Sequence, residues 1–248
     1  GEALTLSVVG VVTPRSERSA GSGQITTRDV TKSVIDGPTA FSTEAISAGA
    51  LGGALTWIPA AATPGVTSSS TLSFIAGGSI EVGGAIKVAL PLAGWKMASA
   101  VPNIVFKQPS SLVLGAGAWN SATAVLTVVV HARGIVEGEA VVMEVLDVTT
   151  PSSVRGESTN ASVTSLDASQ LVVDGASTVT VTEIGAGALS GSRKVNSTVD
   201  TPSVESPLHL SFACAGAVPV GGSIRVVLPA DGWRIGSSSP SVTFTAPS

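Results

Sequence analysis

The residues GGAIKVALPLAGW at 83–95 return as GGSIRVVLPADGW at 221–233. Internal repetition constrains the fold more than any composition does, because each copy must be built as the same structural unit. From 72 to 110 the chain aligns without a gap to 210–248, at an offset of 138 residues and with about 18 of 39 positions identical. Upstream, VIDG at 34–37 meets VVDG at 172–175, and AGALGG at 48–53 meets AGALSG at 186–191. At the start, GEALTLSVVGVVTP (1–14) matches GEAVVMEVLDVTTP (138–151) at an offset of 137, so the first 110 residues are a copy of the last 111. Only the middle, about 111–137, has no copy; it reads as two strands.

Within the repeated stretch Ile86, Val88 and Leu90 alternate with Lys87 and Ala89, as Ile224, Val226 and Leu228 do with Arg225 and Val227. That is the period of a strand with one face in a core. Gly83-Gly84 before it and Pro91 after it are turn and stop signals. Similar alternation at 71–76, 103–106, 124–130, 140–148 and 178–184 predicts many short strands about ten residues apart. The expected fold is all-β, a series of tandem immunoglobulin-like antiparallel β-sandwiches. The segment AISAGALGGAL (45–55) has room for one short helical turn. In linear order a complete sandwich occupies about 48–185, with 1–47 the C-terminal part of a preceding repeat and 186–248 the N-terminal part of the next. Half-sandwiches expose apolar faces and strand edges. They are expected either to continue into a longer tandem chain or to be completed by strand addition from another molecule.

Composition narrows the partners. Only 12% of residues are charged and the net charge is −4, which is no surface for a phosphate backbone. Apolar runs such as VLTVVV fall far short of the roughly 20 residues that span a bilayer. The N-terminus has no signal-peptide pattern and begins with Gly1 rather than Met, so the chain reads as processed or as part of something longer. One Cys forms no internal disulfide and leaves the compartment open. Two acceptor sequons, at Asn160 and Asn196, lie in Ser/Thr-rich stretches and are candidate glycosylation sites.

No residue pattern carries catalysis. There is no Gly-x-Ser-x-Gly, no Gly-Lys-Ser/Thr ending to the glycine runs, and His131 and His209 stand without partners at ligand spacing. No cofactor is expected, and the chain is read as a non-enzyme. Trp95 and Trp233 are expected to fold over the end of a core with the indole N–H paired. Trp57 and Trp119 lack a matching Trp in the other copy, and are either interface or core aromatics or a glycan platform. Asp29 and Asp36 recur as Asp167 and Asp174. An Asp-Gly hairpin turn, with the earlier Asp capping a loop, accounts for each pair better than a calcium site. Cys214, in period with Leu210 and Phe212, is expected in a core; Lys87 and Arg225 are expected on a solvated or edge face.

The order of Leu-Ser-Phe, Gly-Gly-x-Ile-x-Val-x-Leu-Pro, Gly-Trp, Pro-x-Val/Ile-x-Phe, Val-Thr-x-Pro and Val-x-Asp-Gly resembles the tandem β-sandwich repeats of very large extracellular proteins of protists and algae. These include cell-surface and flagellar-hair, mastigoneme-type components. The resemblance implies an extracellular or cell-surface setting, a mechanical or adhesive role and glycosylation. The expectation is a structural repeat module of an extracellular fibre, associating with neighbouring repeats or copies; the alternative is an adhesin or carbohydrate-binding module.

Overall fold

Alternation becomes strand wherever a neighbour is present to take up the backbone groups. The computed structural model describes residues 3–92, 94–109 and 115–245. Pro247, which matches Pro109 in the repeat, and 111–114, the head of the uncopied segment, lie outside the described residues. The described residues form an all-β structure without a helix. The strands are β1 (Ser22–Arg28), β2 (Val34–Ser42), β3 (Gly52–Pro59), β4 (Thr67–Ile75), β5 (Ala85–Ala89), β6 (Lys96–Met97) and β7 (Ile104–Gln108). They continue as β8 (Gly115–Asn120), β9 (Val125–Val130), β10 (Ala140–Thr149), β11 (Ser158–Leu166), β12 (Val172–Val181), β13 (Ser190–Ser197) and β14 (Leu208–Ala213). Two compact units divide the chain, Gly1–Ala186 and Gly187–Ser248.

In the first unit ten strands make one sheet in the order β6-β10-β4-β3-β12-β11-β5-β9-β8, with β7 also on β10. Every pairing is antiparallel except β3 on β12. Near its ends the sheet almost closes on itself, the Trp119 N–H of β8 donating to the Ala100 carbonyl at 2.8 Å. Strand β9 shows why these residues are strands. Leu126, Val128 and Val130 are fully buried while Val125, Thr127 and Val129 are not. Burying each such side chain stabilises by about 1.5–3 kcal/mol. Strand β10 keeps the same alternation through Val141, Met143 and Val145, then shifts phase to bury Val148. Asp147, at φ 56°, forms the bulge that makes the shift possible.

One core joins these faces. Trp57 is fully buried and meets Trp95 edge-on, the ring centroids 6.1 Å apart. Segment 45–51 is extended, not helical; Gly49 pairs with Asp174 in a parallel bridge along β12. Its glycines permit a turn, but the backbone groups of β12 offer it partners.

Outside this sheet, β1 and β2 form a hairpin within the first unit, and β13 and β14 form a second hairpin in the other unit. The copy of β5 at 223–227 is not a strand, and Ile224, Val226 and Trp233 are exposed. In the first unit β5 lies between β11 and β9. Neither has a copy within Gly187–Ser248, so the second version of the sentence has no ladder to join. Lys87 is likewise on an interior strand of the sheet rather than on an edge.

Candidate functional site

Between the first hairpin and the ten-stranded sheet, a short polar segment docks on a turn. That turn, between β11 and β12, is organised by Asp167. Its carboxylate accepts the Ser169 N–H at 2.8 Å and the Leu171 N–H at 2.9 Å, and its own N–H donates to the Leu171 carbonyl at 2.9 Å. Gln170 takes a left-handed φ of 64° to close the loop. Residues 15–18 lie against it. The Ser16 hydroxyl donates to Asp167 Oδ2 at 2.7 Å, and Arg18 donates to the same hydroxyl at 2.7 Å. The Glu17 N–H donates to the Val172 carbonyl at 2.8 Å, and Arg15 pairs with Glu81. Ser16 is 3% exposed in a segment otherwise open to water, so this contact is made rather than grazed.

Electrostatics favour the docked form. The Ser16 hydroxyl, with the amides of Leu171 and Ser169 and the nearby Arg18 guanidinium, holds the Asp167 carboxyl below the usual carboxylate range. The hollow beside this contact, bordered by Glu17, Arg18, Ile46, Ala48 and Leu171, is shallow and open.

The Asp turn and the Ser-x-Arg segment of this joint each exist twice, whereas Arg15 and Glu81 have Ser152 and Pro219 at the matching places. The Asp29 carboxylate accepts the Thr31 and Ser33 amides at 2.9 and 2.8 Å, and Lys32 has φ 66°, as Gln170 has 64°. The Thr31 hydroxyl and the Ser33 amide hold Asp29 below its ordinary pKa. On the docking side, Arg18 and Ile46 exchange backbone hydrogen bonds at 2.9 and 2.8 Å, and Arg155 and Ile184 exchange the same pair at 3.0 and 2.8 Å. Thus one joint is made, and a further docking segment (152–155) and a further turn (29–33) have the same local build.

The second Asp of each pair has a different place from the expected hairpin turn. Asp174 lies inside β12, where its Oδ2 accepts the Ser165 hydroxyl at 2.6 Å and its N–H donates back to that oxygen at 2.9 Å. Thr27 and Asp36 repeat this bracket at 2.7 and 3.0 Å. Oδ1 of Asp174 faces the Gly77 and Gly78 amides without closing a hydrogen bond of normal geometry. Burial pushes this carboxyl up, against the Ser165 bond that draws it down. The earlier Asp caps the loop; the Asp-Gly dipeptide marks a strand irregularity two residues beyond it.

The aromatic candidates separate. Trp57 is sealed in the core with Nε1 unpartnered, which removes it as a glycan platform. Trp119 is half-buried and packs against the same core. Trp95 is buried, whereas Trp233 is 50% exposed. Cys214 is exposed, because the strands that bury its counterpart Ala76 are missing around it. Asn160 on β11 and Asn196 on β13 are both exposed. His131 and His209 are exposed, and among the described residues no three His, Cys, Asp or Glu side chains cluster as metal ligands. No helix among them is long and apolar enough to cross a membrane. No family model matches the chain, and no curated protein matches it. The joint residues Arg15, Ser16, Glu17 and Arg18 were not singled out by sequence reasoning. The retained signal is Ser16 with Arg18, kept as Ser153 with Arg155.

Proposed function

We propose that this chain is a structural repeat module of an extracellular fibre or cell-surface filament, built of immunoglobulin-like sandwiches stacked end to end. The observation that carries the reading is the joint: Ser16 and Arg18 of one repeat dock on the Asp167 turn of the next. A contact between two different surfaces of a repeating unit leaves the same two surfaces free at the ends, so it can be repeated from unit to unit along a rod. The strand pairing is compatible with the immunoglobulin-like reading, since β3 pairs antiparallel with β4 and parallel with β12, as the first strand of such a domain does between its neighbours. Exposed Asn160 and Asn196 suit a glycosylated outer surface. On this reading the chain is a structural part and not a catalyst. Antibodies against the 248-residue chain, applied with gold to unpermeabilised source cells, are expected to decorate surface filaments at regular spacing. Label confined to the cell interior would sink the reading.

A further inference from the structure

We propose that residues 3–42 of one molecule fill the strand positions left open in residues 190–245 of a second copy of this chain, so that head and tail together form one more sandwich. The inference rests on the fibre reading and names its partner.

Each end already holds one hairpin in the register of the central sheet. Hairpin β13–β14 pairs Ser190 with Ala213 and Val195 with Leu210, as β3–β4 pairs Gly52 with Ile75 and Trp57 with Leu72. Hairpin β1–β2 pairs Ile25 with Thr39 and Thr27 with Asp36, as β11–β12 pairs Val163 with Ser177 and Ser165 with Asp174. Residues 3–12 copy β10, and Gly10, at φ 79°, keeps the left-handed bulge of Asp147.

The central sheet shows where these pieces go. It interleaves the two halves: β10 lies beside β4, β12 beside β3, and β11 between β12 and β5. Transferred by the repeat, Leu6 falls opposite Leu210 as Met143 does Leu72, Ser42 opposite Lys194 as Thr180 does Thr56, and Ile25 opposite Val226 as Val163 does Val88. The strands with no copy, β9 and β8, are the last two in the order, so their absence interrupts nothing.

Burial is complementary as well. Leu4, Leu6 and Val8 copy the buried Val141, Met143 and Val145, yet Leu6 is 83% exposed. On the tail, exposed Leu210, Ile224 and Trp233 copy buried Leu72, Ile86 and Trp95. One size exchange links the halves. The tail has Val195 for Trp57, and the head has Phe41 for Val179, which stands two residues before the parallel partner of Trp57. A large ring thus moves to the neighbouring strand, keeping volume only if head and tail share a core. The head departs at Arg28 for Leu166 and Thr43 for Val181, both strand ends. In the joined array Ser153 and Arg155 of the first copy meet the Asp29 turn of the second, repeating the joint of Ser16 with Asp167.

The test uses the full chain, with light scattering across a dilution series and maleimide labelling of the lone Cys214, whose counterpart Ala76 is buried. Wild type is expected to grow into oligomers, and labelling to slow at least about tenfold as it does. Leu6→Glu on the head and Leu210→Glu on the tail are each expected to stay monomeric, and Leu6→Glu to keep Cys214 open. Their equal mixture is expected to stop at dimers, because each supplies one intact half. Thermal melting of the central sandwich is expected to be unchanged in Leu6→Glu, since Leu6 lies outside it. A wild-type chain that is monomeric at every concentration overturns the proposal, whether Cys214 is open or is shielded by the head of the same molecule. Oligomers indifferent to Leu6→Glu, with Cys214 still open, also overturn it, but leave the fibre reading standing on the joint alone.

Discussion

The Ser16 hydroxyl and the Asp167 carboxylate meet at 2.7 Å across 151 positions of sequence, and both side chains are nearly buried. Hydrogen bonds to charged groups contribute about 1.5–3 kcal/mol. Ser16→Ala is therefore expected to loosen residues 15–18 while leaving the ten-stranded sheet intact. The Glu17 amide, bonded to Val172, is the reporter: its hydrogen exchange should accelerate at least about tenfold. Unchanged exchange would show that Ser16 is not what holds the joint.

Acidification should do the same by titration. The Asp167 pKa is depressed in the folded chain, chiefly by Ser16, so its contribution is present above the unfolded carboxylate value and is lost as pH falls through the folded one. Exchange at Glu17 is expected to be flat from neutral pH down to the ordinary carboxylate value, after correction for intrinsic rates, and to rise as pH falls from there toward the depressed one. Asp167→Asn should abolish that rise.

Ser165 and Asp174 predict the opposite pH trend. Asp174 has a raised pKa, so its favourable contribution is full below the unfolded value and falls away as pH rises through the folded one. Ser165→Ala leaves Asp174 Oδ2 and its N–H unpaired in a buried place, at a cost of about 1–3 kcal/mol. Without the hydroxyl the carboxylate is harder still to keep charged, so urea denaturation should show a larger deficit at pH 7 than at pH 4. An equal deficit at both would mean that Asp174 is protonated throughout.

Trp57 and Trp95 close the core edge-on. Trp57→Ala is expected to cost about 3–5 kcal/mol through the cavity it leaves. Trp57→Phe removes an indole N–H that has no partner, and the relief offsets part of the lost volume, so it should cost less than half as much. Far-ultraviolet circular dichroism during urea unfolding compares the two.

The sequence made period-two strands legible where apolar residues alternate, as at Leu126, Val128 and Val130. It did not reveal β11, whose Ser/Thr-rich face is half-exposed, nor the bulge at Asp147, which needs a non-glycine residue in a left-handed conformation. The Asp loops were legible because capping is local: Asp29 and Asp167 each bind amides two and four residues on. The joint was not, because Ser16 finds Asp167 only through the fold. Cys214 was misplaced for the same reason. Its period-two neighbours are right for a core, but a core needs the strands that cover it.

The two copies of the repeated sentence turn that distinction into a measurement. Their turns agree: Gly83 and Gly221 have φ 86° and 83°, and Gly84 and Gly222 donate to Glu81 and Pro219 at 2.9 Å in each case. Their strands do not, because only 85–89 has β9 and β11 to pair with. In dilute chain the amides of Lys87 and Ala89, which face β11, are expected to resist hydrogen exchange for as long as the ten-stranded sheet stays folded, while those of Arg225 and Val227 exchange at nearly unprotected rates. As the chain is concentrated, the second pair should gain protection and the first should not change. Protection at Arg225 in the monomer would mean that the thirteen residues encode their strand locally, and pairing partners would no longer be needed to explain it.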